Sequence, residues 1–262
     1  MSAAEVNFTF NGLHCLRDFG CVFIEDSTRV VTPQTELDEY TIAGHSGSIL
    51  MGDIAIYNVY TIAGSLVPMR TPRSMTEAQA LARRLAEWLK SGRHTLAWDY
   101  EPGYQHEADV PGALEWDTQV WMDGGLRVAF QVQPFTWDAQ ATTARASITA
   151  GTSKLSVPVH SPIPCPVSLR ITATGSISSV RVETPEGKAA ALAKGMALAA
   201  GDVLTLDMET PIGATITRDG TESNALCYAT RLDWLTITNG EPLTITTNGP
   251  ADVVAKARGC RP

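Results

Sequence analysis

The chain has 262 residues, of which 44% are hydrophobic and 18% charged, and its formal net charge is −8 at pH 7. This composition excludes an intrinsically disordered chain and is typical of a globular protein with a sizeable core. The acidic excess lies in the first half: residues 1–142 carry 18 Asp and Glu against 9 Lys and Arg, whereas residues 143–262 carry 10 against 11. An acidic half repels phosphate, which argues against a nucleic-acid-binding protein.

The amino-terminal segment MSAAEVNFTF shows neither a basic segment nor an apolar stretch of the kind that directs secretion. Nowhere do about 18 apolar residues follow one another, as a membrane-spanning helix requires. We therefore expect synthesis in the cytoplasm and no membrane insertion.

One helix is predicted between residues 74 and 92. Ser74 and Glu77 have the spacing of a capping box, in which the two side chains accept hydrogen bonds from backbone N–H groups at a helix start. Apolar residues then recur at helical spacing up to Gly92, which is well placed to end the helix. They are Ala78, Leu81, Ala82, Leu85, Trp88 and Leu89. This stripe predicts a helix that lies on a sheet.

The rest of the first half is predicted to be mostly strands. Residues 95–98 predict a short strand after the helix. Apolar residues alternate with polar ones in 114–122 and again in 126–132, and the Asp123-Gly124-Gly125 segment between them predicts a hairpin with a tight turn. We therefore expect a mainly β, sandwich-like N-terminal domain with one packed helix.

The composition changes after Trp137, where a small, polar segment is followed by several prolines. This change predicts a domain boundary near residue 142, with an N-terminal domain of residues 1–142 and a C-terminal domain of residues 143–262. The second domain is predicted to be a sandwich or jelly roll, with a turn at Asn239-Gly240. Its predicted strands are Ser168 to Thr174, Val180 to Thr184, Val203 to Met208, Thr215 to Arg218, Trp234 to Thr238 and Leu243 to Thr247.

The sequence favours no catalytic motif. The segment Gly44-His45-Ser46-Gly47-Ser48 has Ser48 where a nucleophile elbow needs glycine, and the common dinucleotide, phosphate-loop and zinc-protease motifs are missing. Four carboxylates around Pro102 leave a glycosidase pair open, although a solvated loop is the simpler interpretation. These carboxylates are Asp99, Glu101, Glu107 and Asp109.

The five cysteines are scattered without CxxC spacing, and their odd number argues against a complete disulfide framework. A metal site made from His14, Cys15 and Cys21 would lack a fourth ligand. Reduced thiols are the simpler prediction. The remaining cysteines are Cys165, Cys227 and Cys260.

Carbohydrate binding is the second function that the sequence leaves open. An exposed aromatic residue such as Trp234 or Tyr228 on a β-sandwich could stack on a sugar ring. Alternation places Trp234 on one face with Leu232, but the neighbouring face is also apolar, so the pattern does not decide between core and surface. We favour the core for Trp234.

Several segments, taken in order, resemble the distal tail (Dit) proteins of long, flexible-tailed bacteriophages. Phe8-Thr9-Phe10-Asn11-Gly12 is similar to that family's first strand and turn, and Asp18-Phe19-Gly20 follows it. Further similar segments are Ile42 to Gly47, Leu85 to Leu89, Leu96 to Pro102 and Gln133 to Trp137. The residues that carry the resemblance are Phe8, Phe10, Asn11, Gly12, Gly44, Gly47, Trp88, Leu89, Pro102, Pro134 and Phe135.

The second half resembles the galectin-like β-sandwich of the same family, mainly by its pattern, which includes the segment from Gly201 to Asp207. The resemblance implies a structural virion protein without catalysis, metal or cofactor. Six copies would form a ring through their first domains at the distal end of the tail, after assembly in the bacterial host cytoplasm. The ring would join the tail tube protein to the hub or tail-associated lysin protein, near the tape measure and receptor-binding proteins.

DNA would cross such a ring without specific binding, and the acidic first domain suggests how. Six copies would bring about −54 of formal charge around the passage, six times the −9 of residues 1–142. Acidic walls repel phosphate; alternatively, the acids lie outside and aid solubility. For the contacts that close the ring, we expect sheet edges at the strands flanking Asp123-Gly124-Gly125 and in the region from Val30 to Tyr40.

Overall fold

A computed structural model describes residues 6–26, 33–36, 39–40, 49–50, 56–116, 124–209 and 213–262. The chain divides into two compact units, here called unit 1 (Met1–Trp137 with Pro262) and unit 2 (Asp138–Arg261). The division falls five residues before the predicted one, which lay between residues 142 and 143. The protein is mainly β, as predicted.

In its described residues, unit 1 contains one large sheet and two helices. Its elements are β1 (Phe8–Phe10), β2 (Leu13–His14), α1 (Cys15–Phe19), β3 (Cys21–Glu25), β4 (Thr35–Glu36), β5 (Glu39–Tyr40), β6 (Ile49–Leu50), β7 (Ile56–Tyr57), β8 (Tyr60–Pro68), α2 (Met75–Leu89), β9 (His94–Trp98), β10 (Tyr104–Asp109), β11 (Glu115–Trp116) and β12 (Leu126–Asp138). The main path of the sheet runs β2-β1-β9-β10-β12-β8-β3, and β11 also pairs with β12. Separately, β4 pairs with β7 and β5 with β6.

Helix α2 forms where the capping signal predicts it. The Glu77 backbone N–H donates to Ser74 Oγ at 3.2 Å, and the Arg73 N–H donates to Glu77 Oε2 at 2.7 Å. The glutamate therefore caps the N–H that precedes Ser74 rather than that of Ser74 itself. The predicted apolar stripe is confirmed: Ala78, Leu85, Trp88 and Leu89 are buried. The short helix α1, which was not predicted, ends at Gly20 in the left-handed region (φ 67°).

Aromatic rings dominate the core of unit 1. Phe8 is fully buried, and its ring contacts the rings of Phe23, Trp88, Trp98 and Phe130 at centroid distances of 5.0–5.6 Å. The Trp88 ring stacks on Phe8 from the helix side. Because one ring of β1 touches the helix and three other strands, β1 organises the whole unit.

The predicted hairpin around Asp123-Gly124-Gly125 has a different register. A tight turn there would place Met122 opposite Leu126, but Trp116 is the residue that pairs with Leu126, and Glu115 pairs with Arg127. The connection therefore spans residues 117–125, of which 117–123 lie outside the described residues. The alternation of 126–132 is confirmed, since Leu126, Val128, Phe130 and Val132 are all buried.

Unit 2 contains two sheets and one short 3-10 helix, Leu226–Tyr228. Its strands are β13 (Thr142–Ile148), β14 (Gly151–Ser156), β15 (Cys165–Ala173), β16 (Val180–Glu183), β17 (Ala189–Leu192), β18 (Val203–Asp207), β19 (Gly213–Arg218), β20 (Thr221–Asn224), β21 (Ala229–Leu232), β22 (Thr236–Ile237), β23 (Pro242–Thr247), β24 (Ala251–Ala257) and β25 (Cys260–Arg261). One sheet runs β13-β24-β15-β18-β19-β20 and the other β14-β23-β16-β17-β21.

Alternating buried residues along β15, β16, β23 and β24 form the core of unit 2. All six strands predicted in the second half overlap observed strands. The polar segment after Trp137, interpreted as a boundary region, instead forms much of β13 and β14. Asn239 and Gly240 have positive φ angles of 45° and 74°, so the predicted turn is present.

Asp138 joins the two ends of unit 2. Its N–H donates to the Gly259 carbonyl at 2.9 Å, and its side chain accepts a hydrogen bond from Arg261 Nη2 at 2.7 Å. Arg258 Nε donates to the Asp138 carbonyl at 3.0 Å. A Cβ at Gly259 would lie 2.3 Å from Asp138 Oδ2, so glycine permits this close approach. The first residue of unit 2 is thereby held to its last strand.

We expect Phe8→Ala to destabilise unit 1 by about 3–5 kcal/mol, because it removes a buried ring from the centre of an aromatic cluster. Chemical denaturation followed by tryptophan fluorescence measures the change in the free energy of unfolding. The matched control is Leu13→Ala, since the Leu13 side chain is 43% exposed. This control should cost about 0.5 kcal/mol or less. Equal losses for the two variants would contradict the central role of Phe8.

Candidate interaction surface

The residues that the sequence singled out lie mostly in the core or in turns of unit 1. Phe8, Phe10 and Leu89 are fully buried, and Trp88 is 5% exposed. The Trp88 indole N–H donates to the Phe10 carbonyl at 2.8 Å, which fastens helix α2 to β1. These four residues therefore build the unit rather than present a surface.

The Asn11-Gly12 pair forms a two-residue hairpin turn. Phe10 pairs directly with Leu13, and φ is 48° at Asn11 and 75° at Gly12. Positive φ at both central residues is the geometry that Asn-Gly favours in tight hairpins. The Asn11 side chain also donates to Ser91 Oγ at 3.3 Å, just beyond the end of α2.

The other singled-out residues do not meet at one site. Pro102 is exposed in the turn Glu101–Tyr104, where the Tyr104 N–H donates to the Glu101 carbonyl at 3.2 Å. Pro134 and Phe135 lie partly buried in β12, and the Phe135 ring is 5.7 Å from that of Tyr57. Gly44 and Gly47 lie outside the described residues.

Of the two expected sheet edges, one is interior and the other has an unpaired side among the described residues. Strand β12 lies between β10 and β8, so this side of the predicted hairpin is interior and cannot serve as a free edge. In the region from Val30 to Tyr40, β4 pairs with β7 and β5 with β6. Within the described part of the chain, these ladders have strand partners on one side only, so each of the four strands leaves an unpaired side.

Three of the four carboxylates around Pro102 contact a histidine or arginine side chain. Asp99 contacts His14 Nε2 at 3.0 Å, and Asp109 contacts Arg93 at 3.2 Å. Glu101 lies 3.4 Å from Nε2 of the buried His106. This arrangement favours the interpretation as a structural loop over a glycosidase pair.

His14 is committed to the local fold. Its Nδ1 accepts hydrogen bonds from the backbone N–H groups of Leu16 and Arg17, both at 3.1 Å, which caps helix α1. The backbone N–H of His14 donates a hydrogen bond to the Asp18 carboxylate, and this bond is the main cause of the lowered pKa of the Asp18 carboxyl. A side-chain hydrogen bond from Arg17 lowers this pKa further. Among the described residues, no group of three or more His, Cys, Asp or Glu side chains could hold a metal ion.

All five cysteines are free, and Cys227 alone is exposed. Burial raises the pKa of the Cys15, Cys21 and Cys260 thiols to about 11. It also raises the pKa of Cys165. Protonated thiols are poor nucleophiles and poor metal ligands, so these four cysteines serve as small core residues.

The raised thiol pKa values predict that unit 1 loses stability as pH rises from about 9 to 11. The folded state keeps the Cys15 and Cys21 thiols protonated, whereas in the unfolded chain they ionise above their ordinary pKa of 9.0. Measured across this range, the free energy of unfolding should fall less steeply for Cys15→Ala/Cys21→Ala than for the unmodified chain. Cys227→Ala is the control, and its slope should be unchanged. Parallel slopes for all three proteins would refute the assignment.

Trp234 is not a core residue, contrary to the prediction. It is 50% exposed, and its indole N–H donates to the Met208 carbonyl at 2.7 Å. The three residues that follow, Leu235, Thr236 and Ile237, are instead all buried. The alternation therefore breaks at Trp234, which leaves its side chain half exposed.

Unit 1 presents a group of arginines that we call the arginine cluster: Arg70, Arg73, Arg83 and Arg84. All four are exposed, and none lies within 4.0 Å of a carboxylate among the residues described here. The Arg84 guanidinium sits 5.5 Å from the centroid of the Phe19 ring, which stacks on Trp88. Arg83 and Arg84 thus lie in α2, and Arg70 and Arg73 lie in the loop that precedes it.

In the part of the chain that the structure describes, no helix has the length and apolar character needed to cross a membrane. No protein-family model matches the sequence, and no curated protein matches it. Comparison with solved structures does find matches.

The fold is that of bacteriophage tail-tip and baseplate proteins. Over 96% of this chain and 98% of the other, the structure matches the Dit protein (gp 19.1) of phage SPP1, described as a paradigm of the hub adsorption apparatus in phages that infect Gram-positive bacteria. The TM-score is 0.70 at 12% sequence identity.

Two structures of the activated phage p2 baseplate also match, with Ca in one and Sr in the other. Both have a TM-score of 0.54. The first covers 92% of this chain and 90% of the matched chain at 9% identity, and the second covers 91% and 90% at 10% identity. The resemblance read from the sequence is confirmed at the level of the Dit fold.

Proposed function

We propose that this chain is a structural protein of the phage tail tip. Six copies form a ring that joins the tail tube to the distal hub and its host-recognition proteins, and DNA passes through the centre. The observation that carries this proposal is the match to a Dit protein over nearly the full length of both chains. A match across both units supports the whole architecture rather than one common β-domain.

The chemistry of the described residues supports the same function. The carboxylates around Pro102 are largely taken up by His and Arg partners, and the buried cysteines are held protonated. A protein that acts by assembly needs complementary surfaces instead of a reactive group. The tail tube, the hub or lysin protein, the tape measure protein and receptor-binding proteins are the proposed partners.

The charge of unit 1 suits a ring that DNA must cross. By the structural division, unit 1 carries 17 Asp and Glu against 9 Lys and Arg, and unit 2 carries 11 against 11. An acidic inner wall would repel phosphate within about 8–10 Å, the Debye length near physiological salt. DNA would then avoid the counterion-releasing contacts that cause binding.

Electron microscopy of the purified chain, alone and with its tube and hub partners, tests the proposal. We expect closed particles with six-fold symmetry, and gold-labelled antibodies should mark the distal end of isolated tails. A chain that stays monomeric with both partners, and that antibodies do not detect on tails, would contradict the proposed function. The monomer alone would not, because a ring can require a template.

Glycan binding by unit 2 is the second candidate, and the half-exposed Trp234 ring favours it. Aromatic faces stack on the apolar faces of sugars. In a glycan-array experiment, Trp234→Ala should remove any binding that the unmodified chain shows. The control is Tyr228→Ala, because Tyr228 is less exposed than Trp234. Binding that survives Trp234→Ala would exclude this ring as the platform.

A further inference from the structure

The other described basic residues of unit 1 each have a carboxylate partner or, in the case of Lys90, backbone carbonyl partners, whereas the arginines of the cluster have neither. Arg17 contacts Asp18 at 3.2 Å, Arg93 contacts Asp109 at 3.2 Å and Arg127 contacts Asp26 at 3.4 Å. Lys90 donates through Nζ to backbone carbonyls, that of Val110 at 2.8 Å and those of Pro111 and Gly112. In the described part of unit 1, the uncompensated cations are thus the four arginines of the cluster.

Contacts through Phe19 and Gly20 connect Arg84 of the cluster with the loop that carries Arg70. Arg84 lies over the Phe19 ring, and the next residue, Gly20, accepts a hydrogen bond from the Met69 N–H at 2.9 Å. Arg70 follows Met69 directly. Two exposed methionines flank the cluster: Met69, which precedes Arg70, is 63% exposed, and Met75, the first residue of α2, is 60% exposed.

The composition of this surface is that of a protein interface. Arginine and methionine are both enriched where proteins meet, whereas lysine is depleted. Every member of the cluster is arginine, whose planar guanidinium can bind a carboxylate through two parallel hydrogen bonds. The surface therefore fits a partner that presents carboxylates beside apolar groups.

Unit 1 itself supplies the opposite charge. Residues 70–93 contain six of its nine Lys and Arg and only two acids, a net charge of +4, whereas the rest of unit 1 has 15 acids and three bases, or −12. Exposed carboxylates without a cation partner among the described residues include Glu36, Glu107 and Glu115. One copy thus carries both halves of a complementary charge pair.

We propose that the arginine cluster binds the acidic surface of unit 1 in a second copy of this chain. A ring of more than two copies needs two different complementary patches on each copy, and this inference rests on the ring proposed above. The contact deepens that function by assigning the basic side of the interface. It also keeps the arginines occupied by protein, so that they do not hold the passing DNA.

Nucleic acid is the other anionic partner that arginines can bind. Two observations favour protein instead. The unit that carries the cluster has a net charge of −8, which opposes the long-range approach of DNA. The exposed methionines beside the cluster offer apolar area, which a phosphate backbone does not match.

The test compares two triple variants with the same change in net charge. Arg70→Glu/Arg73→Glu/Arg83→Glu reverses the cluster and leaves Arg84 on Phe19. Arg145→Glu/Lys154→Glu/Arg170→Glu reverses three exposed bases on strands of unit 2 and serves as the matched control. Thermal unfolding of the full-length chains confirms that both variants fold.

Each variant is produced in cells that make all other tail proteins but not the unmodified chain. The amount of the variant in purified tails is then measured. Sedimentation velocity measures self-association of the same proteins, and fluorescence anisotropy measures their binding to a 30-base-pair DNA duplex. We expect the cluster variant to be lost from tails and, where the unmodified chain self-associates, to do so about tenfold more weakly or worse. The control variant should behave like the unmodified chain.

The outcomes separate this inference from the proposed function. If the unmodified chain enters tails and the cluster variant enters equally well, the arginine contact is wrong and the tail-tip function stands. If the unmodified chain is itself absent from tails, the proposed function fails and the inference fails with it. DNA binding by the unmodified chain that the cluster variant loses would assign the arginines to nucleic acid and overturn the proposal.

Discussion

The indole of Trp88 is the contact on which the rest of unit 1 depends. Its ring lies between those of Phe8 and Phe19, and its N–H satisfies the carbonyl of Phe10 in β1. One side chain therefore joins the long helix, the short helix and the first strand. A buried carbonyl left without this donor would cost about 1–3 kcal/mol, in addition to the lost ring contacts.

Much of this local structure could be predicted from the sequence. The capping residues Ser74 and Glu77 are three residues apart in the chain, so they specify the start of α2 without reference to anything distant. The Asn11-Gly12 turn is equally local, because positive φ is a property of those two residues. The burial of Trp88 follows from the helical stripe, but its bond to Phe10, 78 residues away, does not.

Two predictions were wrong, the register of the hairpin before Leu126 and the burial of Trp234, and both relied on period-two alternation. Such alternation does not fix register. Trp116 and Met122 are an even number of residues apart, so either can face Leu126 with the same face buried. At Trp234 the chain leaves regular strand geometry, and alternation then no longer reports burial. The sequence also does not show which arginines lack a carboxylate partner. Arg93 and Arg127 are paired, but their partners lie 16 and 101 residues away in the chain.

The bonds around Asp138 have an evolutionary consequence. Unit 2 begins at Asp138, and this residue is hydrogen-bonded to Gly259 and Arg261 near the end of the unit. The two ends of unit 2 therefore lie side by side. In evolution, unit 2 could be replaced by another compact domain through changes around Asp138 alone, while the aromatic core of unit 1 stays unchanged.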